Sequence, residues 1–150
     1  MAELPRELHE RIKRLCAEGD DLLDQGRCED ALARYGSAWE LLPEPRTDWS
    51  AGEWIMAAVG DAEFQRGDFA ASRQALMTAL QCGGSPGNPF LRLRLGQCLF
   101  ELCDRQEAAN WLAGAYLLEG QELFAHDDPK YLEFVKAHLQ SPPGGWPEGW

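Results

Sequence analysis

The side chains of this 150-residue chain that could do chemistry are three histidines, five cysteines and 25 carboxylates. Their spacing argues against catalysis and against metal binding. His9, His126 and His138 lie far apart, and no nucleophile–base pair stands out. Cys98-x4-Cys103 could form half of a metal site, but a structural zinc needs four ligands. No second cysteine pair and no histidine at ligand spacing supplies the rest, so these thiols are expected to be structural. Gly83-Gly-Ser-Pro-Gly resembles a phosphate loop in composition only; it lacks the following Lys-Ser/Thr and a preceding strand. Basic residues do not cluster among aromatics, which argues against nucleic-acid binding. A net charge of −11 repels nucleic acid and anionic lipid and attracts basic partners. No catalytic residue, metal or cofactor is expected, and the chain is not read as an enzyme. Recognition chemistry remains: carboxylates that steer a basic partner and aromatic rings that anchor it.

The elements that must position these groups announce themselves by repetition. The stretch from Gly67 to Leu80 recurs upstream from Gly26 and downstream from Cys103. In each copy a turn residue is followed five residues later by a small one (Ala31, Ser72, Ala108). A large apolar residue comes four further on (Tyr35, Leu76, Leu112), and another small one three after that (Ala38, Ala79, Ala115). Steps of four and three put side chains on one helix face. A glycine precedes the first small residue by 12 positions each time: Gly19, Gly60 and Gly96. Apolar periodicity predicts helices over about 5–25, 29–42, 50–66, 69–81, 89–102, 105–118 (or on to 124) and 129–139. Gly26 ends the first helix. Ser50 and Glu53 have capping-box spacing, Asn88 is a candidate cap, and Asp128-Pro129 reads as a cap followed by a first-turn proline. Cys16, Cys82 and Cys98 lie among apolar neighbours and are expected as buried free thiols.

Leucine–glycine on a first helix and A-x3-F-x2-A on a second is the signature of the tetratricopeptide repeat, and residues 12–118 resemble that family. The tryptophan expected four residues before each glycine is replaced by Leu15, Met56 and Arg92. The resemblance implies an all-α fold, an α-α superhelix of three helix-turn-helix repeats (about 12–45, 53–86 and 89–122). The segment 129–139 then serves as a C-terminal capping helix over the apolar face that a repeat stack leaves open. One domain over 1–140 is expected, followed by an irregular Pro/Gly/Trp tail over 141–150 whose two tryptophans dock on the domain or on a partner, since leaving them in water is costly.

The resemblance also implies a groove lined by the first helix of each repeat. Carried over position by position, it falls on Lys13, Cys16, Asp20, Leu23 and Asp24, then on Trp54, Ala57, Asp61, Phe64 and Gln65, and lastly on Phe90, Leu93, Gln97, Phe100 and Glu101. The expected partner-binding residues are Asp20, Asp24, Trp54, Asp61, Phe64, Phe90, Gln97, Phe100 and Glu101. Some family members bind a C-terminal carboxylate through lysines and asparagines there. The asparagine position is Asp20, Asp61 and Gln97 here, and a negative groove opposes such a ligand.

A second resemblance rests on Leu42-Pro-Glu-Pro-Arg-Thr-Asp-Trp, Gly60-Asp-Ala, Gly67-Asp-Phe, the run from Gly87 to Cys98, and Asp128-Pro-Lys-Tyr-Leu. These look like compact bacterial tetratricopeptide proteins, a group that includes immunity proteins of polymorphic or Rhs-type toxins. The resemblance implies a protein that neutralises a cognate basic toxin domain. A general adaptor or secretion chaperone for a basic effector is the competing expectation. The N-terminus shows no apolar signal region and no run approaches the length of a membrane span. A cytoplasmic protein, monomeric when free and with no nucleic-acid or membrane partner, is therefore expected.

Overall fold

The computed structural model describes residues 4–82 and 89–139. The glycine-rich connection with its candidate cap Asn88, and the tail with Trp146 and Trp150, lie outside the described residues. Contacts gather the chain into two compact units, Met1–Pro86 and Gly87–Trp150. Every regular element among the described residues is helical, as the periodicity predicts.

The first unit holds two helical hairpins. Helix α1 (Arg6–Asp24) pairs with α2 (Cys28–Leu41), and α3 (Ser50–Gln65) pairs with α4 (Phe69–Leu80); α2 also packs on α3. Ile12, Cys16, Ala31, Tyr35, Ala38, Leu42, Ala51, Ile55 and Ala62 form a buried core. The second unit holds the hairpin α5 (Pro89–Glu101) and α6 (Arg105–Glu119), a short 3-10 segment (Gln121–Phe124), and α7 (Pro129–His138) packed on α6. Leu91, Leu95, Leu99 and, as expected, Cys98 of α5 are buried, with Leu112, Tyr116 and Val135.

The repeated glycine has one role in all three hairpins. A Cβ added at Gly19 would sit 2.5 Å from the Tyr35 ring, at Gly60 2.6 Å from Leu76, and at Gly96 2.6 Å from Leu112. The large apolar residue of each second helix therefore presses onto the bare backbone of the first. In the middle copy the small residue adds a polar tie, the buried Ser72 hydroxyl donating to the Gly60 carbonyl at 2.6 Å.

The three turns are also one structure. At each, the residue two past the helix cap donates back across the last turn: Arg27 to Leu22, Asp68 to Glu63, Asp104 to Leu99, each at 2.9 Å. This closing pattern places the residue between in the left-handed region. Gly26 (φ 78°) and Gly67 (φ 86°) adopt it without penalty, whereas Cys103 adopts it at φ 68° with a side chain. Cys103→Gly should therefore stabilise the chain by about 1 kcal/mol, the left-handed penalty less the extra unfolded-state freedom of glycine. Equilibrium chemical denaturation measures this, and a lower midpoint for the variant would contradict it.

One expected cap does not form. The N-cap of α3 is Trp49, extended and without a side-chain cap, and Ser50 is already helical. The reason is the preceding 3-10 turn Arg46–Asp48. It sets where α3 begins, and Trp49 is pinned by its indole, which donates to the Pro43 carbonyl at 2.8 Å. Elsewhere aspartates cap as predicted for Asp128, which accepts from the Lys130 amide at 3.0 Å with Pro129 in the first turn.

Candidate binding face

In the first unit, α1 and α3 carry the expected groove register. Tyr35, buried in the core and slotted against Gly19, extends its hydroxyl to Asp20 and donates at 2.6 Å. Burial, then the Asp20 hydrogen bond and its charge, push the Tyr35 hydroxyl well above its ordinary range. Asp20 of α1 thus holds the phenol of α2 while remaining exposed to solvent. Burial, reinforced by Asp20, pushes the Cys16 thiol up to about 11, so it stays protonated and unreactive at neutral pH. Asp24 is exposed one turn beyond Asp20. Gln65 donates to Asp61 at 3.1 Å.

The aromatic members of this unit differ. Trp54 is 37% exposed and meets the His9 ring edge-on, with centroids 6.4 Å apart. On α3, the neighbouring Ile55 is fully buried while Trp54 stays open. Phe64 is half-buried and packs edge-to-face on Phe69 of α4 at 5.2 Å. Asp20, Asp24 and Trp54 are therefore exposed and Asp61 is half-buried, while Phe64 is largely committed to the hairpin.

In the second unit the same register is occupied by the chain itself. Glu101 accepts from the Tyr131 hydroxyl at 2.6 Å and pairs with Lys130 at 2.6 Å. Burial tends to raise the Glu101 carboxyl, but the Lys130 and Tyr131 hydrogen bonds outweigh it and hold the group below its ordinary range. Phe100 is sandwiched by edges of Tyr131 (5.3 Å) and Phe134 (5.0 Å), with the Arg105 guanidinium 3.9 Å over its ring. Gln97 is fully buried and accepts from Arg94 at 2.8 Å, and Arg94 also pairs with Asp127 at 3.3 Å. Phe90 lies under Arg94 at 5.2 Å. Phe100, Glu101 and Gln97 thus face α7 or the interior, and the acid expected there is neutralised.

Sequence reasoning missed Tyr35, Lys130 and Tyr131 as the partners of these carboxylates. Lys130-Tyr131 directly after Asp128-Pro129 was the available signal: both residues open the helix that lands on α5. Among the described residues no group of three or more histidine, cysteine, aspartate or glutamate side chains could hold a metal ion. No helix there is long and apolar enough to cross a membrane.

Likeness to solved structures decides the fold. The first tetratricopeptide repeat domain of Spaghetti (RPAP3), solved with the HSP90 peptide SRMEEVD, matches with a TM-score of 0.63 and 16% identity over 85% of this chain and 92% of that one. The Yersinia enterocolitica type III secretion chaperone SycD, in complex with a peptide of the translocator YopD, matches at 0.65 and 16% over the same shares. The Sgt2 domain from Aspergillus fumigatus matches at 0.61 and 15% over 84% and 75%. The fold is the tetratricopeptide repeat fold. No protein-family model matches the sequence, and no curated protein does.

Proposed function

We propose that this tetratricopeptide-fold chain is a non-catalytic protein-binding module that takes a basic, partly apolar partner on the α1–α3 face of its first unit. The observation that carries the reading is the set of exposed groups on two helices of one unit, Asp20 and Asp24 on α1 and Trp54 on α3. Carboxylates there speed encounter with a basic surface, and the indole supplies an anchor that carries affinity once water is excluded. The peptide SRMEEVD seen with Spaghetti is acidic at its end, and this face would repel such a ligand. The partner of this chain is accordingly of opposite charge.

The finer reading is an immunity protein that binds and neutralises a basic toxin domain; it rests on the resemblance read in residues 42–49, Gly60-Asp-Ala, Gly67-Asp-Phe, 87–98 and 128–132 alone. A second reading, a secretion chaperone or adaptor for a basic subunit, is favoured by the likeness to SycD, whose structure holds a translocator peptide. Capture on the full-length chain from its native host, with mass spectrometry, distinguishes a toxin domain from a secreted subunit. Equal capture by the wild type and by Asp24→Lys/Asp61→Lys would sink the acidic-face reading in either form. With the captured partner, Trp54→Ala should chiefly speed dissociation and cost about 2 kcal/mol or more; an unchanged dissociation rate would remove Trp54 from the contact.

A further inference from the structure

Helix α1 has two outward sides. One carries His9, which meets Trp54 of α3. Glu18 lies nine residues further on, about two and a half turns, and so stands on the opposite side of the helix. There it pairs with Arg34 of α2 at 3.2 Å, both side chains half exposed. This outer edge of the first hairpin carries Leu8, Leu15 and Leu22, seven residues apart and each only half-buried where it packs on the core. Steps of seven, about two turns, keep them in one stripe. Beside the stripe stand Arg11, Arg14, Glu18 and Asp21, all exposed and at steps of three and four. Their charges read plus, plus, minus, minus. The helix dipole favours the opposite order, acid first and base last, and the last turn of α1 holds no basic residue. Helix stability therefore does not account for the order.

We propose that this edge is the contact of a two-fold dimer, with α1 of a second copy lying antiparallel on α1. A two-fold contact must be complementary to itself. The order plus, plus, minus, minus has that property, because read backwards it is its own complement. With the axis beside Cys16, Arg14 faces Glu18 of the second copy and Arg11 faces its Asp21. Leu15 then lies by its own counterpart, and Leu8 nears Leu22 of the second copy. Such flanking charges set the partner and the orientation of paired helices. A parallel copy would set arginine against arginine, and an unrelated partner would need the matching order by coincidence. The Glu18–Arg34 pair is no obstacle, since exposed ion pairs contribute little and Glu18 can turn to the arginine of the second copy. Covering the leucines takes apolar surface out of water and closes the open end of the repeat stack. The free chain is then a dimer in place of the expected monomer. The side of α1 that faces α3, with Asp20 and Asp24, stays open in each copy, so the inference does not rest on the partner proposed for that face.

Sedimentation equilibrium of the full-length chain at low salt, with reductant to exclude disulfides through exposed Cys103, tests this over a concentration series. The wild type should show a monomer–dimer equilibrium. Arg11→Glu/Arg14→Glu makes the row of charges wholly negative, and Glu18→Arg/Asp21→Arg makes it wholly positive. Each alone should raise the dissociation constant by about 100-fold or more, since like charges then meet at every pair. Mixed in equal amounts, the two variants should recover a dimer at least as tight as the wild type, and the chain carrying all four reversals should dimerise by itself. Recovery in the mixture has no explanation in a folding defect. A wild type that stays monomeric at every concentration would overturn the proposal and leave the edge to an outside partner. A dimer as tight in either charge variant as in the wild type would overturn it, as would a loss that neither the mixture nor the four-fold reversal restores.

Discussion

Gly60→Leu should lower stability by about 3 kcal/mol, the upper end of ordinary overpacking costs. The first added atom already collides: a Cβ at Gly60 lies 2.6 Å and 2.7 Å from the Cδ2 and Cγ of Leu76. Leu76 is fully buried on α4, so relieving the clash moves α4 away from α3 or displaces the packed Leu76 side chain. Moving α4 also stretches the 2.6 Å bond from Ser72 to the Gly60 carbonyl. Helix propensity works in the opposite direction by somewhat under 1 kcal/mol and does not offset the clash. Gly36 provides the control. It too lies inside a helix, but a Cβ there meets nothing within 4 Å, so Gly36→Ala should stabilise by up to about 1 kcal/mol. Urea denaturation of both variants tests the assignment. Two variants that shift in the same direction would contradict the packing role of Gly60.

Tyr131→Ala should cost about 3–5 kcal/mol, as for other large aromatic truncations in a core. Tyr131 is 4% exposed, stacks on Phe100 and donates to Glu101. Its loss removes ring contacts and one of the two donors that keep the Glu101 carboxylate charged in a partly buried site. Tyr131→Phe separates the contributions. It keeps the ring and should cost about 1–2 kcal/mol, the range for a hydrogen bond to a charged group. The same pairing has a pH signature. Because the Glu101 carboxyl is held below its ordinary value, its contribution is fully present above the unfolded pKa of about 4.3. It is lost as pH falls through the lower folded value. The difference in stability between wild type and Glu101→Gln should therefore shrink on acidification below about pH 4. A difference that is constant from neutral pH down to the acid limit would show that the carboxylate's charge is not what anchors α7.

The positions of the helices were legible because they depend on local information. The 3.6-residue period, the glycine 12 residues ahead of each small residue, and the turn residues Gly26, Gly67 and Cys103 each act within one or two helical turns. The register of the groove was legible for the same reason. The fate of each side chain in that register was not. Asp20 and Glu101 are both carboxylates on first helices, yet Glu101 is neutralised by Lys130 of a helix 29 positions later. Asp20 instead meets Tyr35 and keeps its exposure. Such outcomes depend on which distant element lands on a helix, and no single-helix period contains that. The capping box at Ser50 failed for a related reason: the 3-10 turn at Arg46–Asp48 moved the start of α3 by packing its loop, against the local S-x-x-E preference.

The central claim is that the acidic α1–α3 face steers a basic protein partner. Its most direct test is the association rate of the captured partner at low and high salt, measured for the wild type, Asp20→Lys/Asp61→Lys and the exposed-site variant Asp24→Lys. Asp24→Lys leaves the Tyr35–Asp20 bond in place, so a change there reports charge alone. The account predicts slower association at low salt for both variants and a weaker dependence on salt, because fewer carboxylates pull the partner in. Association rates and salt dependence equal to wild type in both variants, with helical content intact and the partner still bound, would contradict it.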